Sequence, residues 1–348
     1  MGSSASVEAV PTTMKKLVVQ TNKDAEKVKL VVEECPVPEP KSGEVLVKVV
    51  AAPMNPSDYM EWRKEGEVAN LGKEGCGIVV KSGGGMMANR LVGKKVGIAG
   101  MKVGGSYQQY VCVSALEGAY EIPDEVALED ACSFFVNPFT AAGIIDTVRE
   151  DGGTGFVHTA AASQLGQMLV KLCKLEGITL INVVRREEQA EQLKKLGAEH
   201  VVISGQEGWQ DKVKALVKEH GIQHAFDAIA GTSTGEMLGL MPKSGYVYVY
   251  GGLSEQPVSN VAPMDLIYLK KQLRGWFLPT WLLGGGSITV LRRVRNASAL
   301  VMGGLKDGWS CSQFVDVKPE EAYTKFLELR NGAGFTNKKL RLRFDQMQ

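Results

Sequence analysis

Short apolar runs alternate with amphipathic segments through the second half of this chain. The stretch 156–167 (FVHTAAASQLGQ) reads as a buried strand, a tight turn and the start of a helix, because Leu165, Met168, Leu169 and Leu172 recur at helical spacing. Residues 178–184 (ITLINVV) form a continuous β-branched run, as a strand covered on both faces requires. Helices are expected at 187–196, 209–220 and 234–241, and strands at 200–203, 223–229 and 245–250. That rhythm, with its short connections, predicts an α/β fold with a doubly wound parallel sheet and right-handed crossovers.

The first third has a different period. Strand runs at 16–20, 28–33, 44–51, 77–81, 95–99 and 107–113, with the Pro-rich connection 36–43 (PVPEPKSG), predict a small β-rich domain. A short helix is expected at 59–65, after Asn55-Pro56-Ser57-Asp58, and a longer one over 129–148 leads into the α/β part. Beyond residue 278 a helix (289–305), a strand (314–317), a helix (319–329) and a final strand (338–344) have no place in the parallel sheet. The expected division is a disordered tail at 1–13, a β-rich domain over 14–136 to which 279–348 returns, and a cofactor-binding domain over 137–278.

The turn after the first α/β strand carries candidate chemistry. Ala161, Ser163 and Gly166 stand at the three positions of a degraded G-x-G-x-x-G fingerprint. Such a turn brings an anionic diphosphate to a helix N-terminus, where the backbone N–H groups and the helix dipole favour it. About twenty residues on, a NAD-binding unit has an acid for the ribose 2′-hydroxyl. Here the second strand ends in Arg185-Arg186. Guanidinium groups suit a phosphate, so the pattern predicts NADPH rather than NADH.

Composition narrows the reading. The chain has 348 residues, 44% hydrophobic and 23% charged, with a net charge of +1. Nothing in that balance points to nucleic acid or an anionic membrane surface, and no apolar stretch is long enough to span a bilayer. The six cysteines are widely spaced without C-x-x-C, and the four histidines make no ligand pattern. Reduced thiols in a cytoplasmic protein that needs no metal are therefore expected.

With these pieces in order, the sequence resembles the zinc-free branch of the medium-chain dehydrogenase/reductase superfamily, the ζ-crystallin-like quinone oxidoreductases and 2-enoyl thioester reductases. Residues 51–58 (AAPMNPSD), the glutamate Glu74 with 75–79 (GCGIV), 136–141 (VNPFTA), 181–185 (INVVR), 250–258 (YGGLSEQPV) and 273–278 (LRGWFL) carry the likeness. It implies a Rossmann domain plus a GroES-like β-rich catalytic domain, with the site in the cleft between them. It also implies cofactor contacts: Asn137 and Thr140 at the nicotinamide end; Ala162, Ser163, Gln164, Leu165 and Gly166 along the diphosphate; Arg185 and Arg186 on the 2′-phosphate; Tyr250 beside the adenosine or ribose. Gly252, Leu253, Trp276, Phe277 and Leu278 would line the nicotinamide, and Lys338 would reach the cofactor.

Three departures shape the expected reaction. Gly72-Lys73-Glu74 stands where the zinc enzymes of the superfamily have Gly-His-Glu, so no metal is expected. The proton-donating tyrosine of thioester reductases aligns with Gly66, which leaves Tyr59 and Asn55 as candidate catalytic residues. The loop 65–71 looks trimmed. A quinone or similar conjugated acceptor spreads incoming charge onto a distant oxygen and needs less polarisation than a simple carbonyl. The expectation is an NADPH-dependent quinone oxidoreductase. The alternatives are a 2-enoyl thioester or alkenal reductase, and an NADPH-binding protein that has lost turnover. A homodimer is expected through the apolar segment 272–278, an edge strand that needs covering.

Overall fold

The computed structural model describes residues 9–20, 29–61, 71–99, 105–331 and 337–347. Two compact units result, Met1–Val136 with Met302–Gln348, and Asn137–Val301. Most of the tail expected at 1–13 lies outside the described residues. The carbonyl of Thr12 accepts from Val37 N–H, and β1 starts at Thr13.

In the first unit β1 (Thr13–Gln20) and β2 (Lys29–Pro36) pair as an antiparallel ribbon. Next come β3 (Glu44–Pro53), α1 (Pro56–Glu61), β4 (Glu74–Ser82), α2 (Met86–Leu91), β5 (Lys95–Ala99), β6 (Tyr110–Ser114) and β7 (Ala119–Glu121). The single helix expected at 129–148 is instead a 3-10 turn, Leu128–Ser133, followed by α3 (Val136–Glu150). The break has a cause: the buried carboxylate of Glu74 takes the N–H groups of Phe135 and Val136 at 2.8 and 3.0 Å. It thereby caps a new helix start, where negative charge is favoured.

The second unit continues from α3 with β8 (Gly155–His158), α4 (Gln164–Glu176), β9 (Thr179–Val184), α5 (Glu187–Lys195), β10 (His200–Ile203), α6 (Trp209–Glu219), β11 (His224–Asp227), α7 (Thr232–Leu240), β12 (Tyr246–Val249), α8 (Pro263–Ile267) and β13 (Gln272–Gly275). Its six strands are ordered β10-β9-β8-β11-β12-β13, and every pairing is parallel. Counted from the unit's first strand this is 3-2-1-4-5-6, the Rossmann order, with its topological switch between β8 and β11. The strand expected over 272–278 stops at Gly275. Pro279 has no N–H to give a ladder and a φ suited to a first helical turn, and α9 (Leu278–Leu283) begins there.

Then α10 (Ser287–Asp307) crosses from the second unit to the first, which β14 (Phe314–Val317), α11 (Ala322–Asn331) and β15 (Lys339–Arg343) complete. Residues 279–301, returned to the β-rich domain by the sequence reading, group instead with the second unit. Trp281 stacks on Trp276 at 6.3 Å, and Arg292 and Arg293 pair with Asp146 and Glu150 of α3. The seven-stranded sheet of the first unit runs β14-β15-β3-β4-β5-β7, with β6 also on β3. Val47, Ile98, Tyr107, Phe326 and Leu342 lie in its core; Val157, Ile181, Val213, Leu238 and Val247 lie in that of the second unit.

Candidate functional site

Ligands of open α/β sheets bind at the carboxyl ends of the strands beside the switch point, here β8 and β11. Ser163 caps α4, its Oγ accepting from Gly166 N–H at 3.2 Å. Gly166 is obligatory there: an added Cβ would stand 2.0 Å from the carbonyl oxygen of Ala161. Ala162, Gln164 and Leu165 are buried around this turn, and Ala160 adopts a left-handed φ of 50° to make it.

Asp227, the last residue of β11, organises the other side of the switch point. It accepts from Thr159 Oγ1 (2.6 Å), Ser233 Oγ (3.1 Å), Thr234 Oγ1 (2.6 Å), and the N–H groups of Ile229 and Ala230 (both 3.1 Å). Thr159 Oγ1 also accepts from Ala228 N–H at 3.0 Å, which ties the two switch strands together. Alongside runs the segment after β12, with Leu253 N–H on the carbonyl of Ala228 and Ser254 N–H on that of Ile229. Gly252 and Leu253 therefore lie beside the carboxyl end of β11. Arg185 and Arg186 follow β9, exposed, with no carboxylate partner among the described residues. Both backbone N–H groups are held by Gln189 Oε1.

The remaining expected contact residues lie after β12, after β13 and in α3. Tyr250 turns its hydroxyl inward to His158 Nε2 at 2.7 Å, the rings stacked 5.9 Å apart. Burial pushes the His158 pKa down to about 3 and raises that of Tyr250, so both are neutral. Trp276 is committed to α3: its Nε1 donates to Thr147 Oγ1 at 2.9 Å, and it covers Gly143 so closely that a Cβ there would lie 2.7 Å away. Leu278 is buried, and Phe277 is 63% exposed. Thr140 is buried and Asn137 half-buried in the first turns of α3.

The first unit, taken by itself, holds a buried polar cluster. Asn55 precedes α1, and its Nδ2 donates to Glu74 Oε1 at 2.9 Å while its Oδ1 accepts from Lys339 Nζ at 2.7 Å. Lys339 Nζ lies 3.6 Å from Glu74, and all three side chains are buried. The sequence reading named Lys338, which is exposed and precedes β15; Lys339, the first residue of that strand, is the buried lysine. Asp58 Oδ2 accepts from Asn55 N–H (2.7 Å) and Tyr107 Oη (3.1 Å). Burial, reinforced by the charge of Glu74, raises its pKa to about 7. Tyr59 is buried against Phe326, ring centroids 4.9 Å apart, within the unit's core. Gly66 and most of the loop 65–71 lie outside the described residues. Among the described residues no group of three His, Cys, Asp or Glu is placed to hold a metal, and no helix is long and apolar enough to cross a membrane.

Sequence reasoning missed Asp227, although the acid closing an apolar strand (HAFD) was its signal. It also missed Lys339, one register position from its choice.

Known proteins carry the same parts in the same order. A family model described as the alcohol dehydrogenase GroES-like domain matches residues 41–124, and one described as zinc-binding dehydrogenase matches 165–285. The mitochondrial enoyl-[acyl-carrier-protein] reductase of Arabidopsis thaliana is 30% identical over 285 residues, 78% of this chain and 72% of the relative. The Xenopus tropicalis counterpart is 32% identical over 261 residues, 70% and 71%. A solved structure of a protein assigned as an NADPH:quinone reductase, from Mesorhizobium loti, superposes with a TM-score of 0.82 at 28% identity and covers 97% of this chain and 100% of that one. The Rossmann strand order, the GroES-like match and these likenesses together establish that the chain belongs to the medium-chain dehydrogenase/reductase superfamily, in its zinc-free branch of oxidoreductases.

Proposed function

We propose that the chain is an NADPH-dependent reductase of conjugated acceptors, with quinones as the preferred class. The bound dinucleotide would supply a hydride. The switch point fits it: a helix N-terminus shaped by Gly166 for a diphosphate, and two guanidinium groups clear of carboxylates at the end of β9 for a 2′-phosphate. Ala162, Ser163, Gln164, Leu165 and Gly166 would hold the diphosphate, Arg185 and Arg186 the phosphate, and Gly252 and Leu253 the ring end, with Asn137 and Thr140. Lys339, rather than Lys338, would be the cation from the first unit. Asn55, its amide fixed from both sides, would orient whatever meets Lys339.

The quinone reading is supported by Gly66, which stands in the sequence where thioester reductases have their donor tyrosine, and by Tyr59, the preceding tyrosine in the chain, being buried against Phe326. An enone needs a proton delivered at carbon. The oxygens of a reduced quinone take theirs from water. A positioned general acid is typically worth about 10²–10⁴-fold in rate, so its loss weighs on thioesters and spares quinones. The curated relatives, themselves enoyl reductases, support the second reading, 2-enoyl thioester reduction. The deciding experiment follows NADPH oxidation with small quinones and with crotonyl-type thioesters. A higher kcat/KM for quinones supports the first reading, a higher value for thioesters replaces it with the second, and NADPH binding without turnover of either class leaves a binding protein.

We also propose a homodimer and a cytoplasmic location. β13 ends the parallel sheet, and beside it in sequence Met264, Leu266, Ile267, Tyr268 and Leu269 are exposed. An open strand edge with an apolar approach invites pairing with a second copy about a two-fold axis. All six cysteines are free, which suits a reducing compartment. A fluorescent fusion that collects in an organelle would refute that location.

A further inference from the structure

The cluster around Asn55 holds two buried carboxylates and one buried ammonium. Glu74 is well supplied with donors: Asn55 Nδ2, two backbone N–H groups and nearby Lys339. Asp58 is not. Its Oδ2 accepts from Asn55 N–H and Tyr107 Oη, but its Oδ1 is buried and has no hydrogen-bond partner among the described residues. A buried carboxylate oxygen without a donor is costly when charged and far less so when protonated.

Asp58 is also the third residue of α1 and reaches back to the N–H of Asn55, the residue before the helix. That is half of a capping box, a contact that fixes the backbone at the helix start. Tyr107 clamps the same point, since its hydroxyl lies 3.1 Å from both Asp58 Oδ2 and the carbonyl of Pro53.

We propose that Asp58 is a positioning residue whose protonation sets how firmly Asn55, and through it Lys339, is held. Ionised, it grips the Asn55 N–H with a charge-assisted bond, and protonated it is a weaker acceptor. The charged and titratable groups that bear on it are Glu74, which opposes its ionisation, Lys73, which favours it, and Tyr107, whose hydrogen bond favours it. Its pKa of about 7 places the change of state near neutrality. The link to cofactor binding rests on the NADPH reading above, whereas the link to the Asn55 cluster does not.

Two measurements on the full chain separate these. In carboxyl-carbon NMR of aspartate-labelled protein without ligand, one resonance should titrate near neutral pH and be missing from Asp58→Asn. A resonance missing from that variant but titrating near the ordinary carboxylate value of roughly 4 would overturn the proposal. If Asp58→Asn does not fold, the same assignment is made with Asp58→Glu. Fluorescence titration with NADPH supplies the second readout. The 2′-phosphate itself titrates near roughly pH 6, equally in wild type and variant. Wild type should match Asp58→Asn in affinity well below neutrality and bind at least about threefold tighter above it. A ratio that is constant across pH would overturn the coupling. Absence of NADPH binding at every pH would refute the cofactor reading, and the NMR titration would still decide the state of Asp58.

Discussion

On the proposed reading, cofactor choice is a matter of two side chains. Arg185 and Arg186 replace the acid that a ribose hydroxyl would need, so changing both to Ala should weaken NADPH binding by about tenfold or more and leave NADH binding nearly unchanged. Equal losses for the two cofactors in calorimetric titration would refute the assignment. His158 makes a separate prediction about acid. Burial holds its folded pKa at about 3, below the value of about 6.5 in the unfolded chain. The unfolded state therefore binds the extra proton. The contribution is fully present above roughly pH 6.5 and is lost as pH falls toward 3, by up to about 1.4 kcal/mol per pH unit. Urea unfolding at a series of pH values should show a shallower acid loss in His158→Gln. Asp58 has the opposite sign: its folded pKa is raised, so its contribution is present at low pH and lost as pH rises through about 7. What was legible at this scale followed backbone rules. The tight turn at Gly166 and the phosphate-suited Arg pair are local. Lys339 was not legible, because nothing local distinguishes it from Lys338, and the partner that holds it, Asn55, lies 284 residues away in sequence.

Among the elements, the strand-helix alternation of the second unit was readable because each parallel strand is a short apolar run and each helix has one apolar face. The helix starts were less so. Nothing local ends a helix at Phe134; the break at Phe135 and Val136 is made by Glu74, a carboxylate from another element. The end of β13 was mistaken for the opposite reason, since apolar 276–278 continues the strand pattern while Pro279 opens a helix. Glu74 offers a test of how much one residue holds. Glu74→Ala would strand the Lys339 ammonium and leave two N–H groups uncapped. Breaking a buried ion pair from one side typically costs about 3–5 kcal/mol. Denaturant unfolding should register a loss of that order in the first unit, and a change below about 1 kcal/mol would show that the cluster relaxes around the gap.

For the whole molecule, the exposed run of α8 beside the edge strand predicts a dimer. Light scattering should give twice the chain mass, and the double change Ile267→Lys with Tyr268→Lys should give monomers that remain folded; a wild-type monomer would refute the assembly. The order of the strands has one more consequence, for how the chain is made. β15 lies against β3, with Arg341 opposite Pro53 and Leu342 opposite Ala52. During synthesis the parallel sheet has all its strands once residue 275 has emerged, but the other sheet stays open until β15, Lys339–Arg343, has emerged as well. A nascent chain at that stage has Asn55 and Glu74 without Lys339, a buried carboxylate waiting for its counter-ion. Contacts this distant form late. The Rossmann unit should thus mature before its companion, and a stop codon before residue 339 would leave the chain with a complete parallel sheet and an unfinished first unit.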